Sequence, residues 1–212
     1  DNKKDFKTQI KESGIVLNFN YNKGWFIGNN LEINLKKKIE QNGKPLKDWD
    51  VKINYGIKTG LNEAFIINKE IREKLIAEDP KSAEIIKPIL RGRDIKRYYY
   101  EFNDVYMICT FPALHLDIEN YKAIKRYLLD FGKDQLEQSG ENLENGKKSR
   151  KKTGNKWFET QDQISYYEEF EKEKVVWGNI SYNSCFSYVD GGIYVNAPAN
   201  IITSEIFSIK YL

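Results

Sequence analysis

The stretch Val51-Lys-Ile-Asn-Tyr-Gly-Ile-Lys-Thr-Gly-Leu-Asn-Glu-Ala-Phe-Ile-Ile67 decides the fold class. Val51–Tyr55 alternates apolar and polar side chains as a half-buried strand does. Gly56-Ile-Lys-Thr-Gly60 reads as a tight turn, and Ala64–Ile67 continues as a second strand. Asn68 then stands where an N-cap belongs, ahead of a helix running to about Ala77. Strand, turn, strand and helix in close succession describe a mixed architecture.

Working outward, Leu31, Leu35 and Ile39 recur at steps of four behind Asn30, with Gly43 following, so 31–42 reads as an amphipathic helix capped by Asn30. Residues 3–12 form a short polar lead-in. Ser82–Lys87 reads as a short helical piece ended by Pro88, and Val105–Thr110 as a strand. Ile118, Tyr121, Ile124, Leu128 and Phe131 share one helical face behind Asp117, the candidate N-cap. From Gly132 to Lys156 the composition turns to Gly, Asn, Ser, Glu and Lys, the profile of either a fraying helix plus loop or a mobile basic insertion. Between Gly178 and Leu212 only Asp190, Glu205 and Lys210 are charged, and β-branched and aromatic residues alternate with Asn, Ser and Gly. That pattern predicts short antiparallel strands joined by turns such as Asp190-Gly-Gly192. The expected fold is α+β, with short antiparallel strands in one or two curved sheets flanked by helices. Residues 1–50 read as a lead-in, and 51–212 as the functional domain.

Composition narrows the function classes. The 212 residues carry 34 basic and 31 acidic side chains, a net charge of +3, which excludes a basic tail whose charge alone would choose its partner. Aromatics at 14% argue against intrinsic disorder. No apolar run is long enough to cross a bilayer, no signal peptide opens the chain, and the two cysteines, Cys109 and Cys185, build no disulfide framework. A reducing, cytoplasmic setting without membrane contact is expected. The chain starts at Asp1 and stops in the apolar run Ile209-Lys-Tyr-Leu212, which suggests a piece of a longer polypeptide.

Most catalytic chemistry lacks its residues. One histidine, His115, and two distant cysteines cannot supply a zinc site of three or four N/S ligands. His115 reads as a loop residue. Neither a phosphate-loop motif nor a Gly-x-Gly-x-x-Gly fingerprint occurs, and no Glu-x-Lys pair of the metal-dependent nuclease type is found. Glu168, Glu169, Glu171 and Glu173 read as a solvated acidic face. Trp25, Trp49, Trp157 and Trp177 read as core or hinge anchors.

Two basic clusters remain. Arg91-Gly-Arg-Asp-Ile-Lys-Arg97 interleaves guanidinium groups with Gly and precedes Tyr98-Tyr-Tyr100. Arginine offers a bidentate fork to phosphates and base edges, and Gly allows close backbone approach. Lys147-Lys-Ser-Arg-Lys-Lys-Thr-Gly-Asn-Lys156 carries six basic residues and no acid. A flexible loop of that kind gains affinity for a duplex by releasing counterions. Each cluster is also the composition of a solvated face.

Four ordered blocks resemble a known family. Ile53–Ile67, Ile86–Tyr98, Trp157-Phe-Glu-Thr-Gln161 and Lys174-Val-Val-Trp-Gly-Asn-Ile-Ser181 are similar, in order, to the blocks of the TaqI-like C-terminal specificity domain. Ile209–Leu212 resembles the start of the helix that follows them. This domain is the target recognition domain of type IIG restriction–modification enzymes and related N6-adenine DNA methyltransferases. The resemblance implies a double-stranded DNA reader that presents a target adenine to an upstream methyltransferase domain. That domain would use S-adenosylmethionine, and fused enzymes of this kind carry a Mg²⁺-dependent nuclease as well. The Asn/Asp-Pro-Pro-Tyr/Phe catalytic block and the cofactor-binding glycine block are absent, so no catalytic residue and no cofactor are expected here. Candidate DNA contacts are Lys58, Thr59 and Asn62 on the turn, then Arg91, Arg93 and Lys96. Lys147, Lys148, Arg150, Lys151, Lys152 and Lys156 would follow the backbone. The alternative is a protein-interaction or scaffold module of a phage-defence methyltransferase complex without DNA contact of its own.

Overall fold

The structure, a computed structural model, describes residues 5–14, 26, 28–144, 146–180 and 184–211; Trp25, Ser181 and Leu212 lie outside the described residues. The chain divides into two units, Asp1–Trp49 and Asp50–Leu212.

The first unit holds α1 (Phe6–Ser13) and α2 (Asn30–Asn42). The cap of α2 is Asn29, one residue earlier than the spacing suggests. Its side chain accepts the Glu32 N–H while the Glu32 carboxylate accepts the Asn29 N–H, which satisfies two otherwise orphaned donors. None of the α2 residues is buried.

The second unit is built on two four-stranded sheets. Its elements are β1 (Lys52–Tyr55), α3 (Asn62–Phe65), β2 (Ile66–Asn68), α4 (Lys69–Glu78), β3 (Ile86–Leu90), β4 (Val105–Ile108), α5 (Lys122–Leu136), β5 (Lys174–Gly178), β6 (Phe186–Val189), β7 (Tyr194–Val195) and β8 (Ala199–Thr203). One sheet has the order β1-β8-β5-β6, all antiparallel; the other runs β2-β4-β3-β7, with β3 and β7 parallel. The fold class is therefore the α+β arrangement expected.

The second sheet is covered on both faces, which is why its strands are nearly continuous in apolar residues. Ile89 and Met107 share the face toward the first sheet and pack in one cluster with Leu90, Val176, Val189 and Ile201. Ile67, Ile86 and Ile108 face the helices instead, packing with Leu75 of α4 and Ile124 and Leu128 of α5. Between the sheets, Phe170 stacks on Tyr194 at 4.9 Å. Each such side chain contributes on the order of 1.5–3 kcal/mol by leaving water.

Several local readings change in the structure. Ala64 and Phe65 belong to the single helical turn α3, and only Ile66–Asn68 pairs as a strand. The helical piece before Pro88 is a 3-10 turn at Pro80–Glu84, and Pro88 lies inside β3. Pro88 pairs only across to Tyr106, at a step where β7 has not yet begun. Asp117 caps a 3-10 turn at Ile118–Asn120, and α5 starts at Lys122 because Tyr121 leaves helical geometry. The Asp190-Gly-Gly192 turn closes no hairpin, since β6 and β7 belong to different sheets.

Charge is also buried where a solvated face was expected. Glu169 is 7% exposed and accepts hydrogen bonds from Thr203 Oγ1, Lys52 Nζ and Lys172 Nζ, the last two at 3.0 Å. Burial alone would raise its carboxyl; the three donors together outweigh burial and hold it below 4.5. Glu205 shares both lysines and is pulled down to about 2. A carboxylate depressed in the folded state adds stability that is present above its unfolded value and lost as pH falls through the folded one. Chemical unfolding between pH 6 and pH 3 should therefore show stability falling below about pH 4.5. Glu169→Gln should cost about 1–3 kcal/mol at pH 7 and flatten that fall. An unchanged slope in the variant would remove Glu169 from this role.

Candidate nucleic-acid interface

Three connections come together where the two sheets exchange strands. Residues 56–61 carry the chain from β1 to α3 and β2, residues 196–198 return it from β7 to β8, and residues 91–93 leave the end of β3. The first two are laced by backbone hydrogen bonds: Ile57 N–H donates to Val195 O at 2.8 Å, and Ala197 N–H to Ile57 O at 3.0 Å. Gly56 is required by this approach, because a Cβ there would lie 2.7 Å from the backbone of Asn196. Gly60 has φ +81°, a left-handed conformation that glycine adopts without strain.

These connections line two adjoining depressions of about 340 and about 770 Å³. Lys58 and Gln161 border the smaller, Arg91 and Arg93 the larger, and Asn62, Glu63, Asn196 and Ala197 border both. The turn and the arginine segment, distant in sequence, thus rim one concave surface. Among the described residues its bordering charges are Lys58, Arg91 and Arg93 against one carboxylate, Glu63.

The candidate residues divide by what already holds them. Lys58 and Arg93 are exposed, and neither side chain has a hydrogen-bond or ion-pair partner among the described residues. Asn62 is exposed, and its Oδ1 accepts the Thr59 hydroxyl at 2.7 Å. Thr59 itself is 1% exposed, and its Oγ1 also accepts the Leu61 N–H. It shapes the turn from inside and presents no hydroxyl to a ligand, which corrects its reading as a contact. Arg91 is gripped by Asp94, with Nε to Oδ2 at 2.8 Å and Nη2 to Oδ1 at 3.0 Å. Burial would raise the Asp94 carboxyl, but the side chain and backbone of Arg91 outweigh it and hold it below 3.8. Lys96 is half-buried and lies 3.5 Å from Glu101.

The basic stretch 147–156 is not a free loop throughout. Arg150 is 4% exposed, with its guanidinium surrounded by backbone oxygens. Nε donates to Leu136 O, Nη1 to Thr59 O and Glu159 O, and Nη2 to Trp157 O, at 2.6–3.0 Å. The face of the Phe65 ring lies 5.1 Å away. Burial pushes its pKa down to about 10, so it remains charged at pH 7. Arg150 is thus a structural residue, which corrects its reading as a backbone-following contact. Lys147 Nζ donates to Gln135, and Lys156 lies 4.0 Å from Glu159. Lys148, Lys151 and Lys152 are exposed around Arg150.

Glu63, Gln161 and Asn196 border the surface without having been singled out in the sequence. Gln161 lies in a quoted block, and Asn196 precedes Ala-Pro198, yet a single sequence marks neither as facing the turn. Among the described residues no group of three or more His, Cys, Asp or Glu side chains could hold a metal ion, and no helix is long and apolar enough to cross a membrane.

The fold defined here is an α+β domain with a cation-bordered concavity at the exchange point of two sheets. No protein-family model and no curated protein matches the chain. Two solved structures of restriction–modification enzymes overlap it. The type IIL enzyme MmeI, solved in complex with DNA, gives a TM-score of 0.41 at 10% identity over 71% of this chain and 19% of MmeI. The type IIG restriction endonuclease BpuSI gives 0.45 at 16% identity over 83% of this chain and 20% of BpuSI. The chain spans about a fifth of either enzyme's length. At these scores the overlap is partial and fixes no residue's role, so the TaqI-like resemblance stands on its motif blocks alone.

Removing Arg150 should loosen the turn that borders the site. Leu136 and Trp157 carbonyls have Arg150 as their side-chain donor, whereas Thr59 O and Glu159 O also receive Gln161 N–H and Gln138 Nε2. With the buried Leu136 carbonyl and the partly buried Trp157 carbonyl losing this donor, Arg150→Met should cost about 2–5 kcal/mol in urea unfolding. Lys151→Ala, one residue away and exposed, should stay within about 0.5 kcal/mol. Equal stabilities for the two variants would contradict the pinning role.

Proposed function

We propose that this chain is the double-stranded DNA recognition module of a restriction–modification enzyme, setting a target adenine before an N6-methylating domain elsewhere in the same polypeptide. The observation that carries the reading is the common concavity bordered by Lys58 and Asn62 from one motif block and Arg91 and Arg93 from another. A reader needs cations to position phosphates and fixed donors to distinguish bases, and this surface offers both kinds. On this reading the adenine is extruded from the stack for methylation.

On this reading S-adenosylmethionine is held by another domain. The nearest approach to a methyltransferase block, Asp79-Pro80-Lys81-Ser82, forms a 3-10 turn in which Asp79 Oδ1 accepts the Lys81 N–H. The methyl donor, and Mg²⁺ where a nuclease shares the polypeptide, belong to neighbouring domains. The working compartment is then the cytoplasm, where the DNA is.

Duplex binding by the 212-residue chain tests this directly. Affinity should be measurable at low salt and fall steeply as salt rises, with a slope near −0.9 for each phosphate contacted. Replacing Lys147, Lys148, Lys151 and Lys152 together with Ala should weaken binding to all duplexes alike and flatten the slope. Absence of binding at low salt, or affinity indifferent to salt, would favour the scaffold alternative.

A further inference from the structure

Arg91 and Arg93 border the same depression in opposite mechanical states. Arg93 is exposed and has no partner among the described residues. Arg91 is held along one edge of its guanidinium by both oxygens of Asp94. Asp94 is itself fixed: its side chain is 4% exposed, Oδ2 accepts the Arg91 N–H at 2.8 Å, and Oδ1 accepts Asn103 Nδ2 at 3.1 Å. Its backbone closes the turn, with Asp94 N–H to Arg91 O and Glu101 N–H to Asp94 O, each at 2.9 Å. A guanidinium has five N–H donors, and this grip uses the Nε and one of the Nη2 donors. The Nη1 end makes no hydrogen bond to any described residue.

From this geometry we infer that Asp94 is a positioning residue that presents the Nη1–Nη2 edge of Arg91 as a fixed fork for O6 and N7 of a guanine in the duplex. The inference rests on the DNA-reading function and adds the base and the device. Two parallel N–H groups match the two acceptors on the guanine major-groove edge. A fork immobilised beforehand loses little side-chain entropy on binding. The paired carboxylate also cancels most of the arginine's charge, so the pair attracts phosphate weakly while its donors keep their direction. Arg93 has the opposite properties and serves as a phosphate contact.

The test begins by selecting preferred duplexes from a random-sequence pool with the 212-residue chain. Each guanine of the selected duplex is then replaced by 7-deazaguanine, which lacks the N7 acceptor. At one guanine the unaltered chain should lose affinity by about 5- to 150-fold. In Arg91→Gln that penalty should disappear, and the ratio of selected-site to random-duplex affinity should fall. Should Arg91→Gln fail to fold, Asp94→Asn carries the same expectation for the ratio. Arg93→Ala should instead lower the salt slope by about one unit while the 7-deazaguanine penalty persists. If Arg91 and Asp94 only hold the fold, their variants will melt lower with the penalty intact, and the inference is overturned. It is also overturned if no guanine in the selected duplex responds, and in both cases the DNA-reading function survives. If the chain enriches no duplex at all, that function fails, and this inference fails with it.

Discussion

The guanidinium of Arg150, enclosed by four backbone carbonyls, is the constraint on which the candidate interface depends. Its four acceptors come from the end of α5, the turn after β1 and two points of the 157–159 segment, pieces that share no regular ladder. Burying an unpaired cation is costly, so the charge is tolerated only because carbonyl dipoles converge on it from several sides. Two of those carbonyls, at Leu136 and Trp157, have Arg150 as their side-chain donor. The arrangement fixes Thr59, and with it the turn that carries Lys58 and Asn62 to the surface.

Sheet topology does the rest. The chain crosses between the two sheets at 56–61 and again at 196–198, and Gly56 allows the crossings to touch through their backbones. The end of β3 delivers Arg91 beside them because β3 pairs with β7 at Ile89 and Leu90, just before the chain leaves the sheet. A concavity bordered by segments distant in sequence follows from strand order. The cations that border it are held differently: Lys58 and Arg93 have no side-chain partner among the described residues, while Arg91 is clamped by Asp94. Attraction and discrimination can therefore reside in different side chains of one surface.

The sequence made the α+β class legible, because the alternation at Val51–Tyr55, the apolar strand-like run Val105–Thr110 and the 3.6-residue stripe of Ile124 and Leu128 are local signals. It also placed the turn and the arginine segment among the residues to watch. What it did not show was long-range. Glu169 looked like one of several acids on a wet face, yet Thr203 and Lys52 reach it from other elements, beside its near neighbour Lys172. Arg150 looked like one of six similar charges, and nothing in Lys-Ser-Arg-Lys marks which one turns inward. Lys174 opens β5 fully buried, donating to the carbonyls of Lys172 and Asp190, and its pKa drops to about 8 for want of water. Partner identity for a buried charge is a property of the fold, and periodicity carries no information about it.

On the proposed reading the turn after β1, the arginine segment after β3 and the crossing before β8 act as one DNA-facing surface. Amide hydrogen exchange of the 212-residue chain, with and without an excess of duplex DNA at low salt, tests it most directly. Exchange should slow in 57–62, 91–94 and 195–197 together, with the β5 and β6 amides unaffected. Protection confined to other segments, with those three exchanging as in the free protein, would contradict it.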